Sequence, residues 1–301
     1  MFDVALSTMW AIGQFPSLAA FFDAGRDLGF ARFELNHAVN SAMLEGLALN
    51  GMIASVHEPC PADISPAILR QLNWLISAPG EDNRRQGVLA ALRSLDLARK
   101  VGAQVVIVHP GRVDIDPRLE AALLDLYRRG QSSDTPEYAR AKEQLVAARA
   151  AQAEINLRAV RRSLIELAEQ AARLGLRLGL ENRYHYPEIP LPDEMEMLLG
   201  LDCDGVVGYW HDVGHAQALE HLGFFPHQEW LNRFAPRIIG AHLHDIVGIR
   251  DHLAVGLGQI DWDMVARYLP AKALRTCEFQ STNSPQEVAA GVRWLIEKEC
   301  N

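Results

Sequence analysis

The sequence predicts an α/β fold: a closed (β/α)8 barrel, the TIM-barrel architecture, as a single domain over residues 1–301, with a helical insertion after the fourth strand. Three observations point there. Short apolar runs alternate with longer amphipathic segments from one end of the chain to the other, the pattern of repeated βα units around a parallel sheet. Eight such runs occur in 301 residues, and α/β barrels commonly occupy about 250 residues as one unit. No G-x-G-x-x-G follows the first run, which disfavours an open dinucleotide-binding sheet.

The first strand is expected at residues 3–8, then a helix at 17–28 entered through Pro16-Ser17 and closed by Gly29. A second strand at 31–35 precedes a helix at 41–50. The third, 52–56, leads into a loop-rich stretch at 59–79 and a helix at 83–101 that Gly102 terminates. After the fourth strand, 104–108, comes the insertion at about 114–149, rich in Ala, Leu, Arg and Glu and broken at Gln131-Ser132-Ser133-Asp134-Thr135-Pro136. It runs on into a helix at 156–174 ending at Gly175. Strands at 177–180, 205–209, 237–241 and 274–277 follow, with helices at 192–199, 260–269 and, entered through Ser284-Pro285, 285–297.

Composition narrows the function classes. With 49% apolar and 22% charged residues, the chain lies in the ordinary globular range. No apolar run approaches the roughly 20 residues of a membrane span, and the start carries Asp3 with no basic residue before its apolar stretch, unlike a secretory signal. Cys60, Cys203, Cys277 and Cys300 are scattered without a C-x-x-C pair, as expected of reduced thiols in a cytoplasmic protein. A net charge of −9 with no basic run argues against a protein that holds nucleic acid by its phosphates.

The most informative feature is what ends the strands. Val56 leads into His57-Glu58-Pro59, Val108 into His109-Pro110-Gly111, Leu180 into Glu181-Asn182-Arg183, Trp210 into His211-Asp212-Val213-Gly214-His215, Ala241 into His242-Leu243-His244-Asp245, and Cys277 into Glu278. In a parallel barrel all these ends open on one face, so residues distant in sequence converge on one pocket. One such residue alone is usually an edge hydrogen-bonder or a helix cap. Six together supply the nitrogen and oxygen donors a divalent cation requires, whereas uncompensated carboxylates in that number would repel.

These motifs, with His252 and the run Gly256-Leu257-Gly258-Gln259-Ile260-Asp261-Trp262, resemble in order and content the xylose-isomerase-like TIM barrels, which include sugar isomerases and epimerases and, in the AP endonuclease family 2 branch, endonuclease-IV-type apurinic-site nucleases. The resemblance implies a core metal shell of Glu181, Asp212, His242 and Glu278. It implies a second-metal role for His57 and His109, and a third for His215 and His252. Two residues before His252, where the nuclease pattern has Asp, stands Arg250, with Asp251 shifted by one, which counts against a complete third site.

The function expected is that of a divalent-metal-dependent sugar or sugar-phosphate isomerase or epimerase in carbohydrate metabolism. A cation binding two substrate oxygens stabilises the enediolate formed when a proton leaves the carbon beside a carbonyl. Two carboxylates take and return that proton, and the resemblance assigns this to Glu181 and Glu278. His215, Arg183 and His109 are the candidate substrate-binding residues, Arg183 for a phosphate or carboxylate, with an ion pair to Glu188 or Asp193 as its structural alternative. His211 and His244 are expected to face outward, and Trp10, Phe15 and Trp262 to serve as core or lid; the Tyr184-His185-Tyr186-Pro187 loop lies beside Glu181. Manganese, zinc, magnesium and cobalt all suit a mixed His/carboxylate shell. The alternatives are a zinc phosphodiesterase of the endonuclease IV kind and a non-catalytic barrel; the insertion offers a surface for a homo-oligomer or a lid.

Overall fold

Short strands with few polar side chains hide both faces only when the sheet closes on itself and helices cover its outside. The computed structural model, which describes residues 2–201 and 205–300, has this form. The strands are β1 (Phe2–Ser7), β2 (Phe30–Leu35), β3 (Ile53–His57), β4 (Val105–Val108), β5 (Arg177–Glu181), β6 (Val207–Asp212), β7 (Ile238–Leu243), then a separate antiparallel hairpin of β8 (Asp245–Val247) and β9 (Arg250–Leu253), and β10 (Leu274–Cys277). β10 and β1 to β7 close into a parallel barrel in the order β1-β10-β7-β6-β5-β4-β3-β2.

The helices are α1 (Leu18–Asp27), α2 (Ser41–Leu44), α3 (Pro66–Gln71), α4 (Glu81–Val101), α5 (Pro117–Arg128), α6 (Pro136–Leu174), α7 (Pro192–Leu199), α8 (Val213–His221), α9 (His227–Phe234), α10 (Trp262–Tyr268) and α11 (Pro285–Glu297). Their ends follow local chemistry. Gly102 and Gly175 close α4 and α6 in the left-handed conformation that glycine adopts without strain, and Ser284 with Glu287 forms a capping box at α11. Helix α2 stops at Leu44 rather than reaching residue 50, because Gly46 turns the chain at φ 74°. Between β4 and β5 the chain forms α5 and the 39-residue α6. Among the described residues no helix is long and apolar enough to cross a membrane.

Strand β6 runs to Asp212, three residues beyond the expected end, because Trp210, His211 and Asp212 still pair with Gly240, Ala241 and His242 of β7. Trp210, with Val105, Ile107 and Ile239, makes an interior core distinct from the main one under the helices. Its neighbours have no side chain for a reason: a Cβ on Gly179 would lie 3.0 Å from the Trp210 ring, and one on Gly240 only 2.1 Å. The indole fills the barrel floor at the expense of two side chains. Cys60, Cys277 and Cys300 are buried free thiols, and Cys203 lies outside the described residues.

Candidate metal centre at the barrel mouth

Alternate residues of a strand share a face, so the polar ends of β5, β6, β7 and β10 continue the interior rows begun by Gly179, Trp210, Gly240 and Thr276. The next inward residues are Glu181, Asp212, His242 and Glu278, all buried. One ligand atom from each lies within 4.8 Å of all the others. His242 Nδ1 is the focus, 2.6 Å from Glu181 Oε1, 3.4 Å from Glu278 Oε2 and 3.6 Å from Asp212 Oδ2. The Trp210 ring lies beneath, edge-on to His242 at 5.2 Å.

Burial opposes ionisation of every acid here, and the neighbours decide each outcome. Glu181 is nevertheless held well below the carboxylate range, chiefly by Arg183 and His109, and Asp212 likewise by His215 and His244. For Glu278 burial wins and its pKa is raised. Burial disfavours the His242 cation, yet Glu278 and Glu34 lift its pKa well above the imidazole value. His109 goes the other way, kept neutral by burial and by Arg183.

The remaining expected residues fall on either side of this group. His109 Nε2 lies 2.7 Å from Glu181 Oε2 and 3.0 Å from His57 Nε2. The Nδ1 of His57 donates to the Glu58 carbonyl at 3.0 Å, and its Nε2 is turned inward, 3.8 Å from Glu181 Oε1. Arg183 is buried against Glu181 and 3.4 Å from Glu188, so the expected ion pair to Glu188 is present and that guanidinium is engaged. On the opposite side, ligand atoms of His215, Asp251 and His252 come within 4.8 Å of one another. Arg250 is exposed and takes no part, but His252 sits in the left-handed region at φ 55°, held by its amide donating to His244 Nδ1 and its Nδ1 donating to the Glu278 carbonyl. Asp251, 3.5 Å from His252 Nε2, is the carboxylate of this group, and the nuclease-pattern position 250 holds an arginine.

One expectation needs correction and another is extended. His244 does not face outward: it is wholly buried and its Nε2 donates to Asp212 Oδ1 at 3.0 Å, as its two-residue spacing from His242 requires. His211 packs outside the barrel wall but is no inert filler, because it joins a buried chain running Asn182, Tyr209, His211, His227, Gln217. Trp10 and Trp262 are buried with their indole N–H groups on the Asn283 carbonyl and Asp245, which makes them core. Phe15 packs on Trp10, and Tyr184 donates to the Ile249 carbonyl.

Sequence reasoning passed over Glu34 and His37. Glu34 is completely buried on β2, accepting from Ser55 Oγ at 2.7 Å and from His242 Nε2 at 3.1 Å. Its signal was a lone acid at an inward position of the apolar strand FARFEL. His37 stacks edge-on against His57, and burial, with His57 and Arg183 beside it, lowers its pKa to about 3.

The donor set suits a divalent cation. Three carboxylates and one imidazole converge, and the buried Oε1 of Glu278 has no hydrogen-bond partner among the described residues. An oxygen left bare at a focus of oxygen and nitrogen donors fits a metal ligand and is costly otherwise.

The described fold has solved counterparts. The chain is similar to a D-tagatose 3-epimerase-like protein (18% identity, 99% of this chain and 97% of that one, TM-score 0.67) and to D-psicose 3-epimerase from Clostridium cellulolyticum H10 (11% identity, 99% of each chain, TM-score 0.68). It is similar also to the IOLI protein with a binding zinc atom (12% identity, 100% of this chain and 98% of that one, TM-score 0.67). At these identities the likeness is one of fold. None of the curated proteins matches the chain. The family model for xylose isomerase-like TIM barrels matches residues 22–298, and the chain belongs to that family.

Proposed function

We propose that this protein is a divalent-metal-dependent sugar isomerase or epimerase that moves a proton at a carbon next to a carbonyl. The observation that carries the reading is the meeting of Glu181 and Glu278 with Asp212 and His242 at the mouth of the barrel. Similar folds named as epimerases acting on tagatose and psicose support it.

Glu181, Asp212, His242 and Glu278 would hold the cation. Bound there, it supplies Lewis-acid polarisation of the substrate carbonyl. Strands β5 and β10 are separated by β6 and β7 around the barrel, so Glu181 and Glu278 reach a substrate carbon from different sides. Glu278 is buried beside His242, with its Oε2 3.4 Å from His242 Nδ1. It takes the proton on one face, and Glu181 serves the other face, oriented by Arg183 and His109. His215, close to Asp212 and opening on the same mouth, binds substrate hydroxyls. Burial of the whole set excludes water, which would quench the carbanion with the wrong stereochemistry.

The test is deuterium uptake from D2O into ketopentoses and ketohexoses by metal-loaded protein, read by NMR. Exchange at the carbon beside the carbonyl, abolished in Glu278→Gln, is expected; no exchange across the panel with each of manganese, zinc, magnesium and cobalt overturns the reading. The two flanking groups, His57 with His109 and His215 with Asp251 and His252, favour a second reading, a multi-zinc phosphodiesterase. Two or more zinc ions per chain together with cleavage of abasic-site DNA would select it.

A further inference from the structure

Beside the cluster, the loops after β3, β4 and β5 enclose two adjoining cavities. The inner one, about 70 Å³, is walled by His109, Glu58, Trp74, Arg70, Arg112 and Glu188; the outer, about 180 Å³, shares Arg70, Arg112 and Glu188 and adds Glu120 and His185. His109 links the inner cavity to the reacting centre, since its Nε2 also lies 2.7 Å from Glu181 Oε2.

The acids along these walls are already engaged. Glu188 lies 3.4 Å from the buried Arg183, Glu120 is paired with His185 at 3.1 Å and accepts the Tyr186 amide, and Glu58 accepts the backbone amide of His109. The arginines are less so. Arg70 meets Glu188 only at 3.9 Å, and the Arg112 guanidinium makes no hydrogen bond or ion pair among the described residues. Arg112 is nonetheless anchored. Its amide donates to Ser77 Oγ, it forms an isolated bridge with Glu188, and the flanking Val113 and Ile189 amides donate to Pro187 and Gly111. Gly111, at φ 96°, makes this possible: a Cβ there would lie 2.2 Å from Ser77 Oγ. A half-buried cation on a clamped backbone, facing a cavity whose acids are occupied, is arranged for an anion from outside.

We propose that Arg112, assisted by Arg70, binds an anionic end group of the substrate, a phosphate or a carboxylate, while the reacting carbon lies at Glu181 and Glu278. This inference rests on the isomerase reading for its catalytic consequence but not for the binding site. The substrate class is then an acidic sugar, with its charge at the end remote from the carbonyl.

The test uses matched pairs on the metal-loaded protein: a ketopentose against its 5-phosphate, and a ketohexose against the corresponding ketohexuronate, each scored by kcat/KM for deuterium exchange. At least a tenfold preference for one anionic member is expected, and the pair that shows it separates phosphate from carboxylate. Arg112→Gln should cut that preference at least tenfold, and Arg70→Gln by less. Equal use of neutral and anionic members, or a preference untouched by Arg112→Gln, overturns the proposal. If no sugar exchanges, the isomerase reading fails and the binding site is judged separately by thermal shift with glycerol 3-phosphate, lactate and glycerol. A rise in melting temperature with an anion, absent with glycerol and lost in Arg112→Gln, upholds the site; no rise, or an equal rise in the variant, removes it.

Discussion

Glu34 and His242 are joined by a hydrogen bond inside the barrel, Oε1 lying 3.1 Å from Nε2 with both side chains wholly buried. The carboxylate accepts from Nε2, and Nδ1 faces Glu181, Asp212 and Glu278, where a bound cation would take the place of its proton. Ser55 Oγ fixes the other carboxylate oxygen at 2.7 Å. A carboxylate behind a ligating imidazole sets its tautomer and raises its basicity, and losing such a partner costs about 10- to 100-fold in metal affinity. Glu34→Gln keeps the volume and removes the charge. Competition against a fluorescent chelator should show a loss in that range; affinity within twofold of wild type would separate Glu34 from the metal.

Metal and fold are linked by the same four ligands. Three carboxylates on β5, on β6 and just beyond β10 repel one another unless a cation lies between them. A ligand that binds only the folded state at a hundred times its Kd adds about 2.7 kcal/mol to unfolding. Urea titration with saturating manganese or zinc should therefore unfold later than with a chelator present, by about that amount. Coincident curves for all four candidate cations would remove the metal from the folded protein.

What the sequence revealed depended on periodicity. The barrel strands and the helices Pro192–Leu199 and Pro285–Glu297 were legible because buried strands and capped amphipathic helices leave simple patterns. Helix Val213–His221 was not, since Val213 through Leu219 are all buried and no polar face alternates with the apolar one. Helix His227–Phe234 was readable in principle: His227, Trp230, Leu231 and Phe234 hold the i, i+3, i+4, i+7 spacing, but a histidine masked its start. In the site, residues at strand ends announced themselves by position, whereas Glu34 lies within a strand and Asp251 lies on the hairpin strand β9, away from the barrel strand ends.

The barrel floor makes a steric prediction. A methyl group on Gly240 would stand 2.1 Å from the Trp210 ring, itself completely buried and enclosed by Val105, Ile107 and Ile239. Overpacking of this kind costs about 1–3 kcal/mol. Gly240→Ala should lower the urea midpoint accordingly, and by tilting Trp210 against His242 should also weaken metal binding. An unchanged midpoint would mean that the indole has room to move.

His227 provides an acid-side probe outside the ligand set, one residue removed from Asp212 through His211. It is buried, its Nδ1 donates to Gln217 Oε1 at 3.1 Å, and its Nε2 lies 2.9 Å from His211 Nε2. Burial lowers its pKa to about 4, while an unfolded histidine titrates near 6.5. Above about pH 6.5 both states are neutral and the group contributes no pH dependence. As the pH falls from there towards 4, the unfolded chain takes up the proton first, so stability drops with a slope approaching about 1.4 kcal/mol per pH unit from this residue. Below about 4 both states are protonated and the slope disappears. Urea unfolding of wild type and His227→Gln at intervals between pH 4.5 and 7 should give a shallower slope for the variant. Parallel slopes would show that His227 is already protonated in the native protein, and the buried chain through His211 would then carry a charge.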